Sequence, residues 1–151
     1  MTTGRGRRRP CTGQEARTRA VHARAYLDTA KLIKSNPGKP QEVDFNHVAA
    51  GNAVLAAIAA SDALCCRFLG ERARGPDHRE AVELLRQLRF GPGSPQQQAA
   101  HARELANALA TALDLKDDSH YGTMMIGANE LRRLLRAAEK LVVAASEAVG
   151  R

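Results

Sequence analysis

Apolar residues recur along the chain at helical spacing, in runs separated by short breaks rich in Gly, Pro and charge. The run 49–66, AAGNAVLAAIAASDALCC, stands apart because it is small or apolar on every face, with Asp62 as its only charged residue. A helix that is apolar all round is buried in a core or crosses a membrane. Alanine is only weakly apolar, and a carboxylate near the centre of a span is costly in lipid. The run therefore predicts the central helix of a bundle, with alanines allowing close approach of its neighbours.

The flanking pattern predicts four more helices. The first covers 14–34, with Ala20, Ala23, Leu27, Ala30 and Ile33 on one stripe, and ends at SNPGKP. The central helix covers 44–69, with Asp44 a candidate N-cap and Gly70 a stop. A loop, ERARGPDH, leads to a shorter helix over 77–90 that carries Ala81, Leu84, Leu85 and Leu88 on one face and packs across one end. GPGSP precedes a helix over 94–115, with Pro95 in its first turn and Leu105, Leu109 and Ala112 or Leu113 as its stripe. DDSHYG connects it to a closing helix over 124–149, whose apolar positions 131, 134, 135, 138, 141, 142, 145 and 149 repeat every three or four residues. No segment has the alternation of a strand. The predicted class is all-α, an antiparallel four- or five-helix up-and-down bundle in a single domain over 14–151.

Composition supports this reading. Aromatic residues are 3% of the chain and Trp is absent, so the core consists of Leu, Ala, Val and Ile. The net charge of +7 is uneven, because residues 1–24 hold seven arginines against Glu15 alone. Residues 1–13 have no apolar period and read as a disordered basic arm able to bind phosphate backbones. No apolar run follows the leading arginines, as a secretory segment would require, and no membrane attachment is expected. The cysteines number three. Cys65 and Cys66 are adjacent, so on a helix they point about 100° apart and suit neither one disulfide nor one metal. Free thiols in a reducing cytoplasm are the expectation.

Three places offer chemistry. Asp62 is a carboxylate in an apolar helix and needs a donor from a polar loop: Arg72, Arg74, His78, Lys116, His120 or Tyr121. The loop GERARGPDH groups Arg72, Arg74 and His78 at the start of a helix, where a phosphate is favoured. LKDDSHYG groups Lys116, His120 and Tyr121 at a helix junction, suited to a phosphodiester or an acidic partner. The five histidines are scattered, with no HxxxH, HExxH or CxxC spacing, so no metal is predicted. GxxxxGK[ST], GxGxxG and GxSxG are absent, and no cofactor is predicted.

The block NAVLAAIAASDALCCRFLGERARGPDHREAVELLRQL resembles the centre of small bacterial HEPN-like proteins. There an Ala-rich helix, A-x-x-A-I-x-A-x-D-A-L, is followed by L-G-x-R, a loop, and D-H-x-x-A-x-x-L-L. LDLKDDSHYG resembles the late L-x-x-K-x-x-x-x-Y turn, and ANELRRLLRAAEKLVVAA the closing helix. The resemblance spans 26–149 and implies a homodimeric helical bundle. It implies binding of RNA or nucleotides, in a toxin–antitoxin or defence setting with an antitoxin-type protein partner. Alternatives are a metal-independent endoribonuclease toxin and a non-catalytic interaction module. The ribonuclease members carry an Arg followed four to six residues later by a His, at the start of the last long helix, with two copies facing one cleft. At that place this chain has Lys116 and His120, with three residues between; Arg72 and His78 have a gap of five and lie one helix earlier. Implied catalytic residues are therefore His78, His120, Lys116 and Arg72, with Asp62, Arg74 and Tyr121 binding.

Overall fold

The computed structural model describes residues 8–34, 45–74, 78–121 and 126–150, and for 117–121 the helical backbone alone. In chain order the elements are β1 (Arg8–Pro10), α1 (Gly13–Lys34), α2 (Phe45–Leu69), β2 (Glu71–Ala73), α3 (Arg79–Arg86), α4 (Pro95–Tyr121) and α5 (Ala128–Val149). Among the described residues the fold is an all-helical bundle with one two-stranded sheet.

Each long helix begins or ends where local chemistry dictates. Thr12 Oγ1 accepts the Glu15 N–H at 3.1 Å and caps α1. Ser94 and Gln97 form a reciprocal capping box on α4: the Gln97 N–H donates to Ser94 Oγ at 3.2 Å, and the Ser94 N–H donates to Gln97 Oε1 at 2.7 Å. Gly70 stops α2 at a φ of +69°, a left-handed conformation that favours glycine, and its N–H donates to the Cys66 carbonyl at 3.2 Å.

Asp62 and Ser61 lie among twelve buried Ala, Val, Leu and Cys residues of α2, on all faces of that helix. Helices α1, α4 and α5 surround it, and α3 closes one side. The alanines bring backbones close, and leucines from the neighbours fill the rest: Leu27, Leu84, Leu85, Leu105, Leu109, Leu131, Leu134 and Leu141 are fully buried. Each such leucine contributes about 1.5–3 kcal/mol relative to exposure. Phe45–Leu69 is long and apolar enough to cross a membrane, but 72% of its most apolar window is buried inside the fold. Residues early in α1 meet residues late in α2, as the Arg19–Asp62 pair requires, so these two helices are antiparallel. His101, early in α4, lines a pocket together with Ala144 and Ala148, late in α5, so these two helices are antiparallel as well.

Four expectations change. The helix expected over 77–90 is helical over 79–86, because the Gln87 and Leu88 N–H groups turn to carbonyls three residues back, at 3.1 Å each, and tighten the chain out of α-helix. The connection expected at 117–122 is helical through Tyr121; weak propensities of Asp and Ser yield to continuation of a packed helix. Helix α5 begins at Ala128 rather than 124, behind the extended Gly127. The expected N-cap Asp44 lies outside the described residues.

The fourth change concerns the arm and the cysteines. Residues 8–13 are ordered: β1 pairs antiparallel with β2, Arg8 opposite Ala73, Arg9 opposite Arg72 and Pro10 opposite Glu71. Arg8 reaches Glu80 at 2.8 Å and Glu71 at 3.2 Å. Cys11 forms a disulfide with Cys66, with Cα atoms 5.4 Å apart across a separation of 55 residues. Cys65 alone is free and buried. The expectation of three free thiols is therefore corrected, and with it the chemical argument for a reducing compartment. Helical spacing forbade pairing Cys65 with Cys66, but Cys11 approaches Cys66 through the antiparallel packing of α1 on α2.

Unreduced protein, fully denatured, is expected to titrate one thiol, and reduced protein three. Reduction should lower the unfolding free energy by roughly 2–4 kcal/mol, the range for closing a long loop. Three reactive thiols without reductant would remove the tether.

Candidate functional site

Asp62 is 6% exposed, and its surroundings are assembled from three elements. Arg19 of α1 donates from Nη2 to Asp62 Oδ2 at 3.1 Å. Arg72 of β2 places Nη1 3.7 Å from the same oxygen. The charge of His78, at the entry to α3, acts on the carboxylate as well. Burial raises the Asp62 carboxyl above its ordinary value of 3.8, and Arg19 and Arg72 oppose that rise only in part. Arg72 and His78 were among the donors expected from sequence. Arg19 was not, because it lies 43 residues earlier on a different helix.

The other expected site residues distribute as follows. Arg74 is exposed just after β2, while Lys116 is half-buried on α4. The Arg79–Asp114 pair at 3.0 Å sets the start of α3 beside α4, two residues before Lys116. This brings the His78 segment and the Lys116 segment to one side of the bundle. His120 and Tyr121 continue α4 as backbone, and their side chains lie outside the described residues.

A second feature escaped the sequence reading. Between α4 and α5 runs an open groove of about 520 Å³. Arg103 on α4 and Arg133, Arg136 and Lys140 on α5 line it, over a floor that includes Ala108 and Ala137. Glu104 is the one carboxylate in the lining, and it pairs with Lys140 at 3.2 Å. Arg103, Arg133 and Arg136 make no ion pair among the described residues. The signal was present in the polar face of the closing helix, where 133, 136 and 140 share one side at helical spacing. It was masked because residues 25–151 are almost neutral in sum.

One grouping has metal-ligand proximity among the described residues: Cys11, Glu15 and Cys66, with ligand atoms within 4.8 Å. Its two sulfurs are joined to each other, and a disulfide sulfur is not the thiolate that binds metal. Burial pushes the Cys65 thiol up to about 12, which keeps it protonated and a poor nucleophile. The site thus consists of a buried carboxylate held by two arginines and a separate surface groove with excess positive charge. No protein-family model matches the chain, and no curated protein does either.

Because the native Asp62 carboxyl lies above 3.8, the unfolded chain ionises first as pH rises. Stability relative to Asp62→Asn should therefore fall between 3.8 and the native value and stay level above it. Thermal melting of both proteins across pH 3–8 tests this; an opposite slope would place the carboxyl below its ordinary value. Asp62→Ala, which leaves two donors unpaired, should destabilise by roughly 1–3 kcal/mol at neutral pH.

Proposed function

We propose that the protein is a HEPN-like, homodimeric bundle that binds RNA or nucleotides without cleaving them. The observation that carries this reading is the α4–α5 groove, where Arg103, Arg133 and Arg136 have no carboxylate partner among the described residues. Unneutralised cations along a groove attract a phosphate backbone and release its counterions on binding. The helical composition and the buried Asp62 suit the resemblance of the block 52–88 to HEPN-like proteins. Binding is favoured over cleavage because Arg72, implied as a catalytic cation, already faces the Asp62 carboxylate. The toxin–antitoxin or defence setting and a cytoplasmic location belong to the same proposal and rest on the resemblance alone.

Binding to a single-stranded oligoribonucleotide, followed by anisotropy at about 50 and 200 mM salt, should weaken steeply as salt rises. Replacing Arg133 and Arg136 by Ala should lower affinity and reduce the logarithmic salt slope by about 1.4, two contacts at 0.7 each. Salt-independent binding, or none by the wild type, overturns the reading.

Two apolar side chains support the dimer. Val48 and Leu55 are 45% and 46% exposed on α2 and share one face at a spacing of seven residues. Light scattering should give twice the chain mass for the wild type and the chain mass for Leu55→Glu. A wild-type monomer at micromolar concentration would reject the dimer.

A further inference from the structure

We propose that the α4–α5 groove continues into an aromatic pocket that takes an unstacked base, so that the ligand is single-stranded RNA. This inference rests on the RNA-binding reading above and adds where the base goes. The pocket holds about 320 Å³, at the lower end of small-molecule sites, roughly 300–1,000 Å³. Lys140 lines both the pocket and the groove, so the two are neighbours on one surface.

Its aromatic wall comes from three segments. Phe68, near the end of α2, stacks on Phe90 with ring centroids 4.4 Å apart and planes 19° from parallel. His101 of α4 meets Phe90 edge-on at 5.2 Å. The three rings are half-buried, and Arg67, also in the lining, sits over Phe68 with its guanidinium carbon 5.1 Å from the ring centroid, so a base entering the pocket meets a guanidinium as well as the rings. In a chain with only 3% aromatic residues, this clustering beside a cationic groove is notable. Base stacking on aromatic rings combined with a basic track is the physical means of binding single strands.

The charges orient the ligand. Arg67, Lys140 and Glu147 line the pocket, with one cation in excess, whereas Arg103, Arg133, Arg136 and Lys140 against Glu104 leave the groove with three, so phosphate is drawn more strongly to the groove. Arg103, Arg133 and Arg136 attract phosphate in the groove. On α5, Arg133 and Lys140 are seven residues apart, about 10 Å along the axis, enough to follow more than one phosphate. A duplex keeps its bases paired and stacked, so it can use the groove but not the pocket. An acidic peptide would use the groove and gain nothing from the rings.

The test compares wild type, Phe90→Leu and Val143→Glu, each first checked for unchanged helicity and melting. Phe90→Leu keeps an apolar filling and removes a ring; Val143, 39% exposed at the pocket, gains a carboxylate without disturbing the core. Affinity is measured for a labelled single-stranded oligoribonucleotide, a duplex RNA of equal length and polyglutamate. Both variants should weaken single-strand binding about fivefold to a hundredfold and leave duplex binding within twofold. Equal losses on single strand and duplex, or no loss on either, overturn the pocket. Tightest wild-type binding to polyglutamate would replace RNA by an acidic protein partner and overturn it too. If the wild type binds RNA and the arginine variant weakens it while Phe90→Leu does not, the pocket fails and the groove stands. If the wild type binds none of the probes, the functional reading itself fails.

Discussion

A helix with no polar face must be enclosed, and α2 imposes that condition on the rest of the chain. Its fourteen buried residues face every direction, so no single neighbour can cover it. Alanine removes little apolar area per residue, so the helix depends on close backbone approach and on leucines brought by its partners. That explains why the bulky core residues lie on α1, α3, α4 and α5, while α2 itself contributes Leu64 as its one fully buried leucine. The cationic groove follows from the same arrangement. With their apolar stripes turned to α2, α4 and α5 present their charged faces side by side, and Arg103 lines the seam with Arg133 and Arg136.

The N-terminal segment is a second, smaller consequence. The end of α2 has to be covered, and β1 lies there, paired with β2 and joined through Cys11 to Cys66. Arg8, at the centre of what reads as a basic arm, is neutralised by Glu71 and Glu80. From residue 8 onward the arm is part of the fold, and the Arg8 charge is not available to a partner in the way a free tail's would be. Among the described residues, the unpaired cations grouped in a groove lie instead on the surface of α4 and α5.

Asp62 occupies the place where enclosure and polarity conflict. An isolated carboxylate there would be strongly disfavoured, and Arg19, Arg72 and His78 converge on it from three elements. Because both arginines keep over a quarter of their side chains exposed, the pair is not fully desolvated, and its contribution is as much to the placement of β2 and α3 as to stability.

The hydrophobic period alone made the helical class legible, as well as the central position of the run 49–66 and the burial of Asp62, because local spacing and the cost of an unpaired charge depend on few residues. Breaks at Gly70 and at Ser94–Pro95 were legible too, since capping is a property of adjacent residues. Only the tertiary structure decided that Arg19 is the nearest partner of Asp62, that Cys11 meets Cys66, and that residues 8–10 form a strand. Each of these joins positions 43 to 65 residues apart, and nothing in the local pattern encodes which distant segment arrives. The groove was half visible: the spacing of Arg133, Arg136 and Lys140 lay in the sequence, but Arg103, Phe68 and Phe90 reach that surface only through the packing of α4 against α2 and α5.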